Sequence, residues 1–183
     1  GSEVVAGYGD ISSEHAALTT TVGVLDFSAR SRLCLVGADR IRFLHGQVTN
    51  DVKNLALGQG CYAALVSAKG RMQSDLNIFT LAEELLLDFE PGLTAAVTQR
   101  LQRYLVADDV QIVDAAPHYG LLSVQGPKAA KVLAALNLCA SDALLKVRGI
   151  LKVSDAIWGD TYLANLPRTG SDGFDLFVPE AAL

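Results

Sequence analysis

A chain of 183 residues, half of them hydrophobic and 19% charged, carries enough apolar material for a sizeable core and is not disordered in composition. Its net charge of −5 at pH 7 argues against the non-specific grip on nucleic acid or anionic membrane that excess positive charge provides. No uninterrupted apolar run reaches the length of a membrane span and the N-terminus lacks a basic-then-apolar leader, so a cytoplasmic location is expected.

In chain order, Ser12 or Ser13 is placed to cap a helix running through Val22. Glu14 falls in its first turn, where the helix dipole favours an acid, and Gly23 ends it. "VLDFSARSRLCLVG" predicts one long or broken strand in which Leu33 and Leu35 alternate with Arg32 and Cys34. After Gly37 a helix is expected, with Ile41, Leu44 and Val48 on one face. "GCYAALVS" and "RMQSDLNIFTL" predict strands around Lys69-Gly70, and "ELLLDF" a third. Pro91 and Gly92 open a helix whose Leu93, Val97, Leu101 and Leu105 lie four apart. "DVQIVDA" alternates as a half-buried strand, and "YGLLSVQ" is a strand before a Gly-Pro turn and a helix with Pro127 near its first position. Further strands are expected near 150–157, 161–166 and 174–179. There is no repeat of 20–50 residues, and the mixture predicts an α+β fold without the regular alternation of a doubly wound sheet.

The segment around Lys69-Gly70 invites a closer reading. A loop of two or four residues pairs Asp75 with Ala64 and Asn77 with Tyr62, whereas a three-residue loop would break that register. Side chains alternate along a strand. Arg71, Gln73, Asp75, Asn77 and Phe79 are therefore expected on one face with Tyr62, Ala64 and Val66, and Met72, Leu76 and Ile78 on the other. A carboxylate between aromatic walls suits a flat heterocyclic ligand, but a solvated sheet face needs no ligand, and the pattern leaves both open.

The three cysteines, Cys34, Cys61 and Cys139, form no CxxC pair, and no histidine stands at ligand spacing from them. Reduced, mostly buried thiols and no metal site are expected. His15, His45 and His118 lack a serine–acid or cysteine partner in sequence and read as structural.

"FLHGQVTNDVKNL", followed by "GQGCYAALVSAKGRMQSDLNIF", resembles the shared N-terminal region of the YgfZ-like folate-binding proteins and their relatives, the glycine cleavage system T-proteins, which are aminomethyltransferases. "AKGRMQSDL" is more similar to the YgfZ branch. "GVLDFS", "LLSVQGPKAAKVL" and "RTGSDGFDLFVP" resemble further segments of the family, in the family's order. The resemblance implies two interleaved α+β subdomains with mainly antiparallel sheets around a central folate cleft. Residues 1–33 with 116–183 would form the first and 34–115 the inserted second, with the family's C-terminal domain expected to be absent.

The same resemblance implies tetrahydrofolate as the ligand. Asp75 matches the carboxylate that positions the reacting amine and is the expected catalytic residue, with Tyr62, Asn77 and Phe79 in the pocket. Arg168 stands where the T-protein motif has a pocket tyrosine, Ser171 for its first glutamate and Asp175 for its second. Arg168 and Asp175 are thus candidate folate contacts or, equally, a surface ion pair of little energy. The function implied is folate-dependent one-carbon metabolism or iron–sulfur protein maintenance, with iron–sulfur proteins as partners. Two alternatives stand beside it: aminomethyl transfer from a lipoyl carrier protein, and a truncated interaction module without catalysis.

Overall fold

The computed structural model describes residues 7–138 and 146–182, so Cys139 lies outside the described residues. The elements run α1 (Ile11–Thr20), β1 (Gly23–Asp26), β2 (Ser31–Val36), α2 (Arg40–His45), β3 (Gly60–Val66), β4 (Met72–Thr80) and β5 (Glu84–Phe89). There follow α3 (Thr94–Gln102), β6 (Gln111–Asp114), β7 (Tyr119–Gln125), α4 (Ala129–Ala135), β8 (Ile150–Asp155), β9 (Gly159–Asn165) and β10 (Gly173–Pro179). They fall into two compact units, residues 1–29 with 118–183, and 30–117. Each unit is built on one open, five-stranded antiparallel sheet, ordered β1-β7-β10-β9-β8 in the first and β3-β4-β5-β2-β6 in the second. The fold is α+β.

The segment expected as one long or broken strand is two strands in different sheets. β1 pairs with β7 in the first unit, and β2 pairs along its whole length with β5 in the second. The division expected at 33/34 therefore falls inside β2. Continuous pairing from Ser31 to Val36 keeps those residues in one unit.

Asp10, and neither Ser12 nor Ser13, caps α1: its Oδ2 accepts the Ser13 backbone N–H at 2.9 Å and the Ser13 hydroxyl at 2.9 Å. Those bonds, the backbone one foremost, hold the Asp10 carboxyl below its usual range. A carboxylate with a depressed folded pKa contributes its support above that range and loses it on acidification. The helical circular dichroism signal of α1 is accordingly expected to weaken in acid, and Asp10→Asn to flatten that response.

Binary patterning explains which face of each sheet is covered. In the second unit Leu33, Leu35, Ala63, Leu65, Leu76, Ile78, Leu85 and Leu87 alternate onto one face, where they meet Phe43 and Leu44 of α2 and Val97 and Leu101 of α3. In the first, Val124, Leu163, Leu176 and Val178 meet Ala129 and Leu133 of α4. α2 is only six residues long, so Phe43 and Leu44 fill its contact while Ile41 and Val48 are partly buried.

The two units share one sheet order with the chain order permuted, since β6 follows β2–β5 whereas its counterpart β1 precedes β7–β10. In each, a strand runs through a glycine (Gly37, Gly126) into a helix, then a three-strand meander, and the sheet orders match when β2, β3, β4, β5 and β6 are replaced by β7, β8, β9, β10 and β1. Cys34 and Cys61 are buried, and burial, aided by Glu84, pushes the Cys34 thiol well above the usual range. No helix among the described residues is long and apolar enough to cross a membrane.

Candidate functional site

The β3–β4 hairpin reaches the expected register by an unexpected route. Ser67 donates its N–H to the Arg71 carbonyl at 2.8 Å, and Gly70 donates to the Ser67 carbonyl at 2.9 Å with φ of +73°. This is a turn closed by a left-handed glycine, and it makes a three-residue loop. Such a loop shifts the pairing by one, so Val66 faces Met72; an irregularity then leaves Gln73 without an opposite number and Leu65 faces Ser74. The two one-residue shifts cancel. Beyond them Ala64 faces Asp75, Tyr62 faces Asn77 and Gly60 faces Phe79.

Gln73 is where the expectation fails. Its Oε1 accepts from Arg100 Nε at 3.1 Å, on the helix that covers the opposite face from Asp75. The bulge has turned this side chain away from the Asp75 row.

On the face that the helices leave uncovered, Tyr62 donates its hydroxyl to Asp75 Oδ2 at 2.6 Å. Asp75 is half-buried, Tyr62 is 48% exposed, and Asp75 Oδ1 has no hydrogen-bond partner among the described residues. One row further, the buried Asn77 donates to Asp88 Oδ2 at 3.1 Å through its amide nitrogen, which leaves the amide oxygen as an acceptor. Asp88 is fully buried and also accepts from Arg30 Nε at 2.7 Å, while Arg30 reaches Glu90 at 2.7 Å. Phe79 shares the face but is fully buried. Tyr62, Asp75, Asn77 and Phe79 are therefore brought together on adjacent strands.

Arg168 and Asp175 meet in the first unit. Arg168 Nη2 lies 2.6 Å and Nε 3.0 Å from Asp175 Oδ2, and Ser123 donates its hydroxyl to Asp175 Oδ1 at 2.6 Å. Gln125 ties the cluster to the backbone: its Nε2 donates to Ser123 Oγ and the Leu166 carbonyl, and its Oε1 accepts from the Arg168 N–H. Asp175 is fully buried and the Arg168 side chain is 16% exposed, stacked 5.3 Å from the Phe27 ring centre. The surface ion-pair alternative does not hold, because β7 supplies two polar side chains that let the carboxylate be enclosed.

Sequence reasoning missed Asp88, Arg30, Ser123 and Gln125. Asp88 had left a signal, since it is an acid at an alternate position of the otherwise apolar "ELLLDF". Arg30, 58 residues away, had left none.

A family model described as the GCVT N-terminal domain matches residues 6–183. The aminomethyltransferase of Exiguobacterium sibiricum is 30% identical over 182 residues, 99% of this chain and 50% of its own length. That of Thermus thermophilus is 31% identical over 177 residues, 96% of this chain and 50% of its own. The chain thus spans about half the length of these curated relatives. Among solved structures, glycine cleavage system aminomethyltransferase T from Bartonella henselae superposes with a TM-score of 0.79 at 24% identity, over 91% of this chain and 44% of that one, a likeness of fold.

Proposed function

The chain belongs to the GCVT N-terminal domain family, and from that premise we propose that it binds tetrahydrofolate at Asp75, as the folate-binding part of an aminomethyl-transferring protein. The relatives it matches are aminomethyltransferases, which supports this reading over the YgfZ-type role suggested by "AKGRMQSDL". A lipoyl carrier protein is the corresponding proposed donor partner.

The observation that carries the reading is the state of Asp75. One oxygen is fixed by the Tyr62 hydroxyl, the other has no partner among the described residues, and the small Ala64 across the strand leaves room beside it. A half-buried carboxylate with one oriented, uncommitted oxygen fits a ligand amine flanked by an aromatic ring. Tetrahydrofolate supplies the secondary amine that takes up the one-carbon unit. Asp75 Oδ1 would accept the N–H of that amine and place a fixed negative charge beside it, favouring positive charge as it develops there. Tyr62 positions the carboxylate, and Asn77, oriented by Asp88, offers a carbonyl acceptor one row away. Arg168 and Asp175, committed to each other and to Ser123, are assigned to holding the segment between β9 and β10 and not to the ligand.

Calorimetric titration with tetrahydrofolate tests this. Asp75→Asn is expected to weaken binding about 10–100-fold, the worth of a hydrogen bond to a charged group, and Tyr62→Phe about fivefold, the worth of an orienting neutral bond. Binding left intact in Asp75→Asn would remove Asp75 from the site. Absence of binding by the unaltered chain at millimolar ligand would leave the interaction-module alternative in its place.

A further inference from the structure

Beside the bulge of β4, an open hollow of about 740 Å³ is lined by Gln73, Ala96, Gln99, Arg100, Gln102 and Arg103. It takes no part in the folate reading. The chain that builds it is basic without compensation: residues 91–107 carry Arg100 and Arg103 and no carboxylate, and residues 67–74 carry Lys69 and Arg71 and none. Elsewhere Arg30, Arg42, Arg168 and Lys152 each sit in a salt bridge. Of the four cations, Arg100 and Arg103 line the hollow and Arg71 lies two residues from Gln73; among the described residues, none of the four sits in a salt bridge.

Arg100 makes the point sharpest. Its guanidinium donates to Gln73 Oε1 (3.1 Å), Gln47 Oε1 (2.9 Å) and the Val66 carbonyl (3.2 Å), and stacks 4.0 Å from the Tyr104 ring centre. Every acceptor is neutral, so the cation is held rigidly in a half-buried place with its charge undiminished. In a protein of net charge −5, such a group of cations attracts anions through its local arrangement.

We propose that this hollow docks a carboxylate-rich peptide segment of a partner protein. Guanidinium groups recognise carboxylates through paired N–H donors. The amides of Gln73, Gln99 and Gln102 add what a simple anion does not need: groups that both donate and accept, as the peptide backbone does. Polynucleotides are a poorer match, because the acidic remainder of the chain repels an extended polyanion.

The test is fluorescence anisotropy of a labelled glutamate-rich octapeptide, with its glutamine counterpart as control, against the chain as it stands. The glutamate peptide is expected to bind at least tenfold tighter than the control and to be released by 0.5 M salt. The double variant Arg71→Gln/Arg103→Gln is expected to weaken it about tenfold, as befits two exposed charges. Both side chains are exposed and bonded to nothing among the described residues, so the fold should persist, with far-ultraviolet circular dichroism as the check. Asp75→Asn is expected to leave peptide binding unchanged, which separates this site from the folate reading. Peptide binding that the double variant leaves intact would overturn the proposal. So would displacement by millimolar inorganic phosphate, which would mark a simple anion site, or tighter binding of a single-stranded oligonucleotide.

Discussion

Asp175→Ala is expected to destabilise the first unit by about 3–5 kcal/mol, the cost of stranding one member of a buried ion pair. The carboxylate it removes is fully buried and accepts from Nε and Nη2 of Arg168 and from the Ser123 hydroxyl. Without it the guanidinium, 16% exposed, keeps its charge with little water to solvate it, and Ser123 loses its acceptor inside β7. The Gln125 link to the Arg168 backbone would then hold a segment whose side chain no longer belongs there. Urea unfolding followed by circular dichroism measures the loss. Asp175→Asn keeps two polar atoms and removes only the charge, so roughly half the effect is expected from it. A loss under about 1 kcal/mol for the alanine variant would show that Arg168 escapes to solvent and that the pair behaves as a surface one.

Gly37→Ala is expected to cost about 3 kcal/mol, combining left-handed backbone strain of about 1–2 kcal/mol with disrupted hydrogen bonds. Gly37 has φ of +109°, and a Cβ there would lie 2.2 Å from the Asp109 carbonyl oxygen. That carbonyl is backbone, and it is already tied down. It accepts from the Asp39 N–H, Asp109 donates to Asp39 Oδ2, and the Asp109 carboxylate accepts from Ala38. The loop before β6 must therefore move and break this reciprocal lacing. Gly92 supplies the control, because it has φ of +78° but nothing within 4 Å of its Cβ position. Gly92→Ala should cost only the strain, about 1 kcal/mol, and equal losses at the two glycines would refute the clash at Gly37.

The site was legible where it depended on neighbours along the chain. Leu76 and Ile78 needed apolar cover and Asp75 did not, so a register that separated them was strongly preferred. The hairpin kept that register even though its loop has the length that should have broken it. The bulge that restores it was invisible beforehand, because it answers two demands at once: a left-handed Gly70 in the turn and a guanidinium from α3 waiting for Gln73. Family resemblance carried the assignment of Asp75 further than the pattern did, since alternation distinguishes faces but not ligands.

The shared sheet order of the two units left no comparable trace. Once the chain enters the second unit at Arg30 and leaves it after Pro117, equivalent strands are too far apart and too different in sequence to register as a repeat. Asp88 and Asp175 show the same limit at single residues. Both are acids at alternate positions in apolar strands, and in sequence either could have faced water.

Local order thus came from the residues in a row: which stretches are strands, which face of each is apolar, and which acids stand out against it. Backbone geometry sets those spacings wherever the segment ends up. The identity of each acid's partner came only with folding, through Arg30 and Asn77 for Asp88, Arg168 and Ser123 for Asp175, and Tyr62 for Asp75. Burial makes an unpaired charge costly, so Asp88 and Asp175 are enclosed by their partners, while half-buried Asp75 can keep an oxygen for something else.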